Sequence, residues 1–119
     1  MIRRLERVNH LSLTADGTQI FVQTTEAKLY CYDSETGRML WTADLGPASG
    51  LAEDVGTNAT LAFAINGNFL YALDRGTGRQ VWVERMEANA SSPVAATDEL
   101  VFVGLSNGKL LTYSLKPAE

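Results

Sequence analysis

One sequence motif occurs twice with variations, first as Leu29-Tyr-Cys-Tyr-Asp-Ser-Glu-Thr-Gly-Arg-Met-Leu-Trp41 and again as Leu70-Tyr-Ala-Leu-Asp-Arg-Gly-Thr-Gly-Arg-Gln-Val-Trp82. Corresponding residues of the two copies lie 41 positions apart. Each copy combines short apolar runs with turn-forming residues and shows no helical periodicity. Because one small β unit cannot bury both of its faces alone, a period of about 40 residues predicts a radial or stacked array of small β-sheets.

A third, weaker copy follows the first two. Residues 101–113 align with residues 61–71 at a spacing of about 40 residues, with one residue of slippage. This copy has no counterpart of the Asp, Thr-Gly and Trp residues before the sequence ends. We therefore expect the third unit to lack its outer strand.

Each copy contains a predicted antiparallel pair of strands. The clearest pairs are residues 20–24 with 28–33 and residues 61–65 with 69–74, which are rich in β-branched and aromatic residues. Asn66-Gly67 and Asn107-Gly108 separate paired strands and predict type I′ hairpin turns, because Asn and Gly accept a positive φ. Flanking strands are predicted at residues 10–14, 38–44, 50–55, 79–85 and 92–97.

The predicted fold class is all-β, with about three four-stranded antiparallel units, and the family resemblance given below implies that these units are the blades of a partial β-propeller. The repeats cover about residues 9–46, 50–87 and 92–115 of a single domain that spans residues 1–119. Propellers usually close with about four to eight blades. A unit of three blades therefore requires further blades to close a ring.

Composition argues against several classes of function. The 119 residues carry a formal net charge of −4, whereas nucleic-acid binding needs clustered Lys and Arg. Cys31 is the single cysteine, so neither an internal disulfide nor a cysteine-based zinc site is expected. No apolar run reaches the roughly 18 residues of a membrane span, and the first residues do not resemble a signal peptide. The sequence leaves the compartment open.

The repeated phrase resembles a known family. Leu-Tyr-Ala-Leu-Asp-x-x-Thr-Gly-Arg-x-x-Trp, at residues 70–82, is similar to the pyrroloquinoline-quinone-type β-propeller repeat of quinoprotein dehydrogenases and of the propeller lipoprotein of the outer-membrane β-barrel assembly machinery. The resemblance implies that each Trp docks against a neighbouring blade and locks a turn made by Asp and Thr-Gly. It also implies a periplasmic or other extracytoplasmic parent protein. The residues given this structural role are Asp33, Thr36, Gly37, Trp41, Asp74, Thr77, Gly78 and Trp82.

No catalytic, cofactor-binding or metal-binding residue is predicted. His10 is the single histidine and lies beside a strand-like run, where a half-exposed polar residue is the simpler interpretation. The pairs Glu53-Asp54 and Asp98-Glu99 are too isolated to supply the six or so oxygens that calcium needs. The dehydrogenases of the family hold their quinone with an adjacent-cysteine disulfide, a stacked Trp and calcium, whereas Cys31 has no second cysteine beside it. We therefore expect no cofactor.

Two functions remain open. The first is a non-catalytic scaffold or protein-interaction module; the alternative is a fragment of a quinoprotein-like dehydrogenase whose catalytic residues lie in missing blades. The missing blades would come from further copies, in a homodimer of six blades or a higher oligomer, or from a longer parent chain. Other proteins are further candidate partners. Residues 2–8 align with residues 83–89, so residues 1–8 are predicted to complement the missing outer strand.

Overall fold

A computed structural model of the chain describes residues 11–24, 26–47 and 54–115. These residues form three antiparallel sheets, which we call blades 1, 2 and 3, and contain no helix long and apolar enough to cross a membrane. Blade 1 holds β1 (Leu11–Asp16), β2 (Gln19–Thr24), β3 (Lys28–Asp33) and β4 (Met39–Asp44). Blade 2 holds β5 (Gly56–Thr57), β6 (Leu61–Asn66), β7 (Phe69–Asp74) and β8 (Gln80–Arg85). Blade 3 holds β9 (Ala95–Ala96), β10 (Leu100–Gly104) and β11 (Leu110–Ser114).

Every strand pairs with its neighbour in sequence within a blade. The spatial orders are β1-β2-β3-β4, β5-β6-β7-β8 and β9-β10-β11, all antiparallel. In blades 1 and 2 the last pairing shifts register by one residue at equivalent places, opposite Tyr32 and Leu73. The all-β class and its antiparallel units are as predicted, whereas the predicted complementing segment, residues 1–8, lies outside the described residues.

The hairpin between β6 and β7 is not the predicted type I′ turn at Asn66-Gly67. Asn66 is the last paired residue of β6, so the loop consists of Gly67 and Asn68. Of these two, Gly67 alone has a positive φ, at 62°, which is the pattern of a type II′ turn. Asn66 stays in the strand because its buried amide donates hydrogen bonds to the carbonyls of Leu45 (2.7 Å) and Pro47 (2.8 Å).

The hairpin between β10 and β11 also differs from the predicted type I′ turn. The N–H of Gly108 donates to the carbonyl of Leu105 at 3.0 Å, which puts Ser106 and Asn107 at the two central positions. Gly108 has a φ of 87°, whereas the φ of Asn107 is not positive. Longer loops of this kind combine a type I turn with a following left-handed glycine, which explains why Asn-Gly occurs here without a type I′ turn.

The first strand of blade 2 lies outside its predicted range. Of the predicted range 50–55, residues 50–53 lie outside the described residues; β5 is Gly56–Thr57, and Val55 is a core residue that is 4% exposed. Gly56 approaches blade 3 so closely that a Cβ at this position would lie 2.3 Å from the carbonyl oxygen of Val94. The backbone therefore pairs where no side chain separates it from the neighbouring blade.

The other two first strands are displaced less. β9 is Ala95–Ala96, shorter than the predicted range 92–97, in which Pro93 has no N–H to contribute to a ladder. β1 is Leu11–Asp16 against the predicted range 10–14, of which residue 10 lies outside the described residues.

Blade 2 is buried on both faces. Side chains alternate along its middle strands, so neighbouring residues point toward opposite blades and the strands read as nearly continuous apolar runs. One core lies between blades 1 and 2, and a second lies between blades 2 and 3. The residues of β6 and β7 in the first core are Ala62, Ala64, Tyr71 and Leu73, and those in the second are Phe63, Ile65, Leu70 and Ala72.

The two end blades each contribute one face to these cores. Blade 1 contributes Phe21, Leu29, Cys31 and Trp41, and blade 3 contributes Val101, Val103, Leu111 and Tyr113. Since side chains alternate, the opposite faces carry Tyr30 and Tyr32 in blade 1 and Phe102 and Leu110 in blade 3. Leu110 is 64% exposed.

Candidate functional site

The predicted motif residues of blade 1 form a hydrogen-bonded turn after β3. Oδ1 of Asp33 accepts hydrogen bonds from the N–H groups of Glu35 (2.8 Å) and Thr36 (3.2 Å). The Thr36 hydroxyl accepts one from the N–H of Arg38 at 3.3 Å. Gly37, with a φ of 73°, donates its N–H to the Asp33 carbonyl at 2.9 Å, a left-handed position that favours glycine.

The same bonds form the turn after β7 in blade 2. Oδ1 of Asp74 accepts from the N–H groups of Gly76 (2.8 Å) and Thr77 (3.1 Å), and the Thr77 hydroxyl accepts from the N–H of Arg79 at 3.2 Å. Gly78, with a φ of 78°, donates to the Asp74 carbonyl at 2.8 Å. The repeated sequence thus has a repeated backbone conformation.

Trp41 packs on the turn of blade 2. Its Nε1 donates a hydrogen bond to the carbonyl of Arg75 at 2.8 Å. Its ring lies directly against the backbone of Gly78, where an added Cβ would come within 2.5 Å of Cε3. The Trp41 side chain is 7% exposed, and its ring centroid lies 6.0 Å from that of Phe21. Gly78 is therefore required both by the turn and by the close approach of the indole.

Arg75 extends this contact into a polar network between blades 1 and 2. Its Nε donates to Oε1 of Gln19 at 2.8 Å, and its Nη1 donates to the carbonyl of Asn58 at 2.7 Å. Nε2 of Gln19 in turn donates to the Arg75 carbonyl at 2.7 Å, so that this oxygen accepts from both Gln19 and Trp41. Sequence reasoning missed this network because Ser34 stands where blade 2 has Arg75, and no repeat signal marks it.

Trp82 lies in a more open environment than Trp41. Its ring centroid lies 6.2 Å from that of Phe63 and 6.1 Å from that of Tyr113, and its side chain is half-buried. A groove of about 380 Å³ borders the indole between β8 and β11. The residues that line this groove are Leu61, Val81, Trp82, Glu84, Tyr113, Ser114 and Leu115.

The hydrogen bonds of blade 3 show which residue corresponds to Arg75. The N–H of Leu115 donates to the carbonyl of Glu99 at 2.8 Å, as the N–H of Arg75 does to the carbonyl of Thr60 at 2.9 Å. Leu115 therefore takes the place of Arg75 and Ser114 that of Asp74, and residues 116–119 lie outside the described residues. Trp41 thus packs on a turn that the structure describes, whereas Trp82 borders a groove.

Burial keeps three interface side chains protonated. It raises the pKa of Tyr71 and is the larger cause of the raised pKa of Tyr113, with the Glu84 carboxylate as the smaller cause. Burial also raises the pKa of Cys31 to about 11, against a smaller opposing effect of the Arg75 charge. None of the three supplies a thiolate or phenolate nucleophile near neutral pH.

The described residues offer packing and hydrogen bonding rather than a reactive centre. Within the described ranges, no group of three or more His, Cys, Asp or Glu side chains could hold a metal ion. Asp98 instead accepts a hydrogen bond from the N–H of Ala59 at 3.0 Å and links blade 3 to blade 2. His10 and Glu53 lie outside the described residues.

The described residues do not supply the full quinone-holding set of the dehydrogenases, since the sequence has a single cysteine. The resemblance to quinoprotein dehydrogenases implies a stacked Trp, an adjacent-cysteine disulfide and calcium. Trp41 already packs against the backbone of Gly78, and Cys31 is fully buried in the core between blades 1 and 2. Neither side chain is placed to contact a bound quinone.

Sequence comparison identifies the family that this geometry belongs to. A family model described as outer membrane protein assembly factor BamB matches residues 5–117. No curated protein sequence matches the chain significantly.

Solved structures resemble the chain in fold. BamB from Moraxella catarrhalis is 19% identical with a TM-score of 0.75, over 95% of this chain and 34% of that one. A europium-containing methanol dehydrogenase is 14% identical with a TM-score of 0.75, over 91% and 24%. The β-propeller domain of Cps50 (Swd1) from Myceliophteria thermophila is 9% identical with a TM-score of 0.76, over 97% and 38%. The chain therefore spans less than two fifths of each of these proteins, and the predicted partial β-propeller is confirmed.

Proposed function

Because the chain belongs to the pyrroloquinoline-quinone-like repeat family whose model is described as outer membrane protein assembly factor BamB, we propose that it is a non-catalytic β-propeller module that binds other protein chains. The first partner is a second copy, which completes a head-to-tail ring of six blades. The supporting observation is that both faces of blade 2 are covered, whereas blades 1 and 3 each contribute one face to a core. The family name supports an extracytoplasmic location.

The outward face of blade 1 repeats a face that is covered in blade 2. Tyr30 lies 41 residues before Tyr71 and pairs with Val22, as Tyr71 pairs with Ala64. Blade 1 covers the blade 2 pair, so that Tyr71 is 8% exposed and Ala64 is fully buried. Tyr30, which is half-buried, therefore stands where a preceding blade would pack, beside Val22, which is already only 8% exposed.

The outward face of blade 3 repeats the opposite face of blade 2. Leu110 pairs with Gly104 in blade 3, as Leu70 pairs with Ile65 in blade 2. Leu70 is fully buried, whereas Leu110 is 64% exposed. A head-to-tail contact between blade 3 of one copy and blade 1 of the other covers both outward faces, and two such contacts close the ring.

The mass of the chain in solution tests this proposal. We expect light scattering during gel filtration to give twice the 12.9 kDa of one chain. Leu110→Asp and Tyr30→Asp should each give monomers, because each places a charge in both contacts of the ring. Val83→Asp, a change to the same charged residue at a position of the middle blade that is 42% exposed and pairs with Tyr71, should leave the mass unchanged.

Mixing the two monomeric variants tests the head-to-tail arrangement. The Leu110→Asp chain keeps an intact blade 1 face, and the Tyr30→Asp chain keeps an intact blade 3 face. One undamaged contact can therefore form between them, and the mixture should contain dimers that neither variant forms alone. A monomeric parent chain, or a mixture that stays monomeric, contradicts the proposed ring.

A dehydrogenase fragment is the second candidate, supported by the fold likeness to methanol dehydrogenase. It predicts that pyrroloquinoline quinone with calcium raises the melting temperature of the chain. Because the described residues do not fit the quinone, we expect no shift. A saturable shift together with dye-linked alcohol oxidation would favour the dehydrogenase over the binding module.

A further inference from the structure

The two Asn-Gly pairs of the sequence lie at different places in their hairpins. Asn66 is the last residue of β6 and is 3% exposed. Leu105, also 3% exposed, follows the residue that pairs with Leu110, as Asn66 follows the residue that pairs with Leu70. Leu105 therefore takes the place of Asn66 in blade 3, and Asn107 lies two residues further along, in the exposed part of the loop.

An Asn-Gly pair can lose its side-chain amide without an enzyme. The backbone nitrogen of the glycine attacks Cγ of the asparagine, so that an N–Cγ bond forms and the Cγ–Nδ2 bond breaks. Ammonia leaves with the proton of the glycine N–H, and water then opens the cyclic imide to aspartate or isoaspartate. Glycine favours the attack because it has no side chain to obstruct it and leaves the backbone conformationally free.

The surroundings of Asn107 permit this reaction in the folded chain. Asn107 and Gly108 are both exposed, and a Cβ built at Gly108 meets no described atom within 4 Å. Oδ1 of Asn107 accepts a hydrogen bond from the N–H of Lys109 at 3.1 Å, which holds the carboxamide beside Gly108. Negative charge develops on this oxygen during the attack, and a donor already in place stabilises it.

One hydrogen bond opposes the reaction at Asn107. The N–H of Gly108 donates to the carbonyl of Leu105 at 3.0 Å, and this bond must open before the nitrogen can attack. Because the bond lies in an exposed loop, it can open without unfolding of the blade. Asn107 should therefore react in the native chain, although more slowly than in the unfolded chain.

Asn66 belongs to the same dipeptide but is protected. Nδ2 of Asn66 donates to the carbonyls of Leu45 (2.7 Å) and Pro47 (2.8 Å), and both hydrogen bonds are lost when ammonia leaves. Asn66 and Gly67 are also both buried, so water and the base that removes the glycine proton have little access to them. Reaction at Asn66 therefore requires that β6 first separates from the connection between blades 1 and 2.

We propose that Asn107 is a site of spontaneous deamidation in the folded chain and that Asn66 is protected from the same reaction by its burial. The isoaspartate product inserts one methylene group into the backbone between residues 107 and 108. The hydrogen bond from Gly108 to Leu105, and that from the N–H of Leu105 to the carbonyl of Lys109 at 2.8 Å, both span this point. Since Leu105 is buried between blades 2 and 3, isoaspartate should weaken the packing of blade 3.

Incubation of the full chain in water labelled with heavy oxygen tests the proposal. Trypsin cleaves after Lys and Arg, so one peptide, residues 39–75, carries Asn66 and another, residues 86–109, carries Asn107. Tandem mass spectrometry then locates the heavy oxygen that enters when the imide opens. In the native chain, reaction at Asn107 should be faster than at Asn66 by about tenfold or more, because reaction at Asn66 breaks two buried hydrogen bonds.

The same measurement in guanidinium chloride is the control for the dipeptide itself. Without the folded structure, the two Asn-Gly pairs should react at rates within about threefold of each other. Equal rates in the native chain overturn the proposal. A rate ratio that the denaturant leaves unchanged also overturns it, because burial of Asn66 would then have no effect.

Two glutamine variants assign the product. Asn107→Gln should abolish the acidic form that accumulates on ion exchange, because glutamine would have to close a larger ring. Asn68→Gln is the matched control, since Asn68 lies in the other hairpin and precedes Phe69 rather than glycine, and it should leave the acidic form unchanged. Persistence of the acidic form in Asn107→Gln overturns the assignment.

The isoaspartate form, separated by ion exchange, tests the effect on blade 3. It should melt below the parent chain, whereas Asn107→Asp, with the same charge and a normal backbone, should melt close to it. Equal melting of the isoaspartate form and Asn107→Asp contradicts the predicted loss of the loop hydrogen bonds. Neither expectation depends on whether the chain forms the proposed ring.

Discussion

Replacing Gly78 by alanine tests whether the contact of Trp41 joins blades 1 and 2. The φ of 78° at Gly78 costs an alanine about 1–2 kcal/mol. The new Cβ would also lie 2.5 Å from Cε3 and 2.6 Å from Cδ2 of Trp41, and overpacking of this kind costs about 1–3 kcal/mol. We therefore expect Gly78→Ala to lower the free energy of unfolding by about 2–5 kcal/mol.

Gly37 provides a matched control in the equivalent turn of blade 1. Its φ is 73°, but no described atom lies within 4 Å of a Cβ built there. Gly37→Ala should therefore lower the free energy of unfolding only by the cost of an alanine at a positive φ, about 1–2 kcal/mol. The difference between the two variants isolates the contact with the indole.

Urea unfolding measured by circular dichroism, at one protein concentration for all variants, gives the free energies. In a Trp41→Ala background the clash is absent, so Gly78→Ala should then cost no more than Gly37→Ala does in the parent chain. Equal costs of Gly37→Ala and Gly78→Ala in the parent chain would refute the reasoning, as would an undiminished cost without the indole.

Four further predictions follow from the same interfaces. Arg75→Met should lower the free energy of unfolding, measured in urea, by about 1–3 kcal/mol. A double-mutant cycle with Gln19→Leu should show coupling, because either substitution removes the hydrogen bond from Nε of Arg75 to Oε1 of Gln19. Asn66→Ala should cost about 1–3 kcal/mol, since two carbonyls lose their donor, whereas Asn68→Ala, with one long bond of 3.4 Å, should cost less. Because the pKa of Cys31 is raised from 9.0 to about 11, its thiol contributes to the free energy of unfolding in full below pH 9.0, and this contribution is lost as the pH rises toward 11. In Cys31→Ala the free energy of unfolding should therefore fall less steeply with pH over this range. Hydrogen exchange should be slowest in β6 and β7, and on dilution of the proposed dimer the exchange rate should rise in blades 1 and 3 before it rises in blade 2.

Much of the fold could be predicted because the period marks residues that every blade needs. The ranges 28–33 and 69–74 coincide with β3 and β7, since alternating apolar residues and the following Asp turn define both ends of each strand. The repeat could not predict contacts that occur once. Arg75 bonds to Gln19 across the blades, but blade 1 has Ser34 at the equivalent position, so no repetition reveals the pair.

The hairpins show how tertiary contacts override a local turn preference. Asn-Gly favours a type I′ turn in isolation, but Asn66 satisfies two carbonyls of the preceding connection and remains in β6. The short β5 has a similar cause, because the contact of Gly56 with Val94 selects where the backbone can pair. Both deviations depend on how the blades pack, which a pattern within one repeat does not contain.

The repeated motif stabilises the contact between two blades rather than a single blade. Trp41 and Gly78 belong to different blades, and the Arg75 carbonyl accepts hydrogen bonds from blade 1 although it lies in blade 2. The stability of such an array is roughly a sum over its interfaces. Three blades in one chain have two interfaces, whereas a closed ring of six blades has six, or three for each chain. In the proposed ring, association of two chains would therefore add one full interface per chain, at the faces that carry Tyr30 and Leu110.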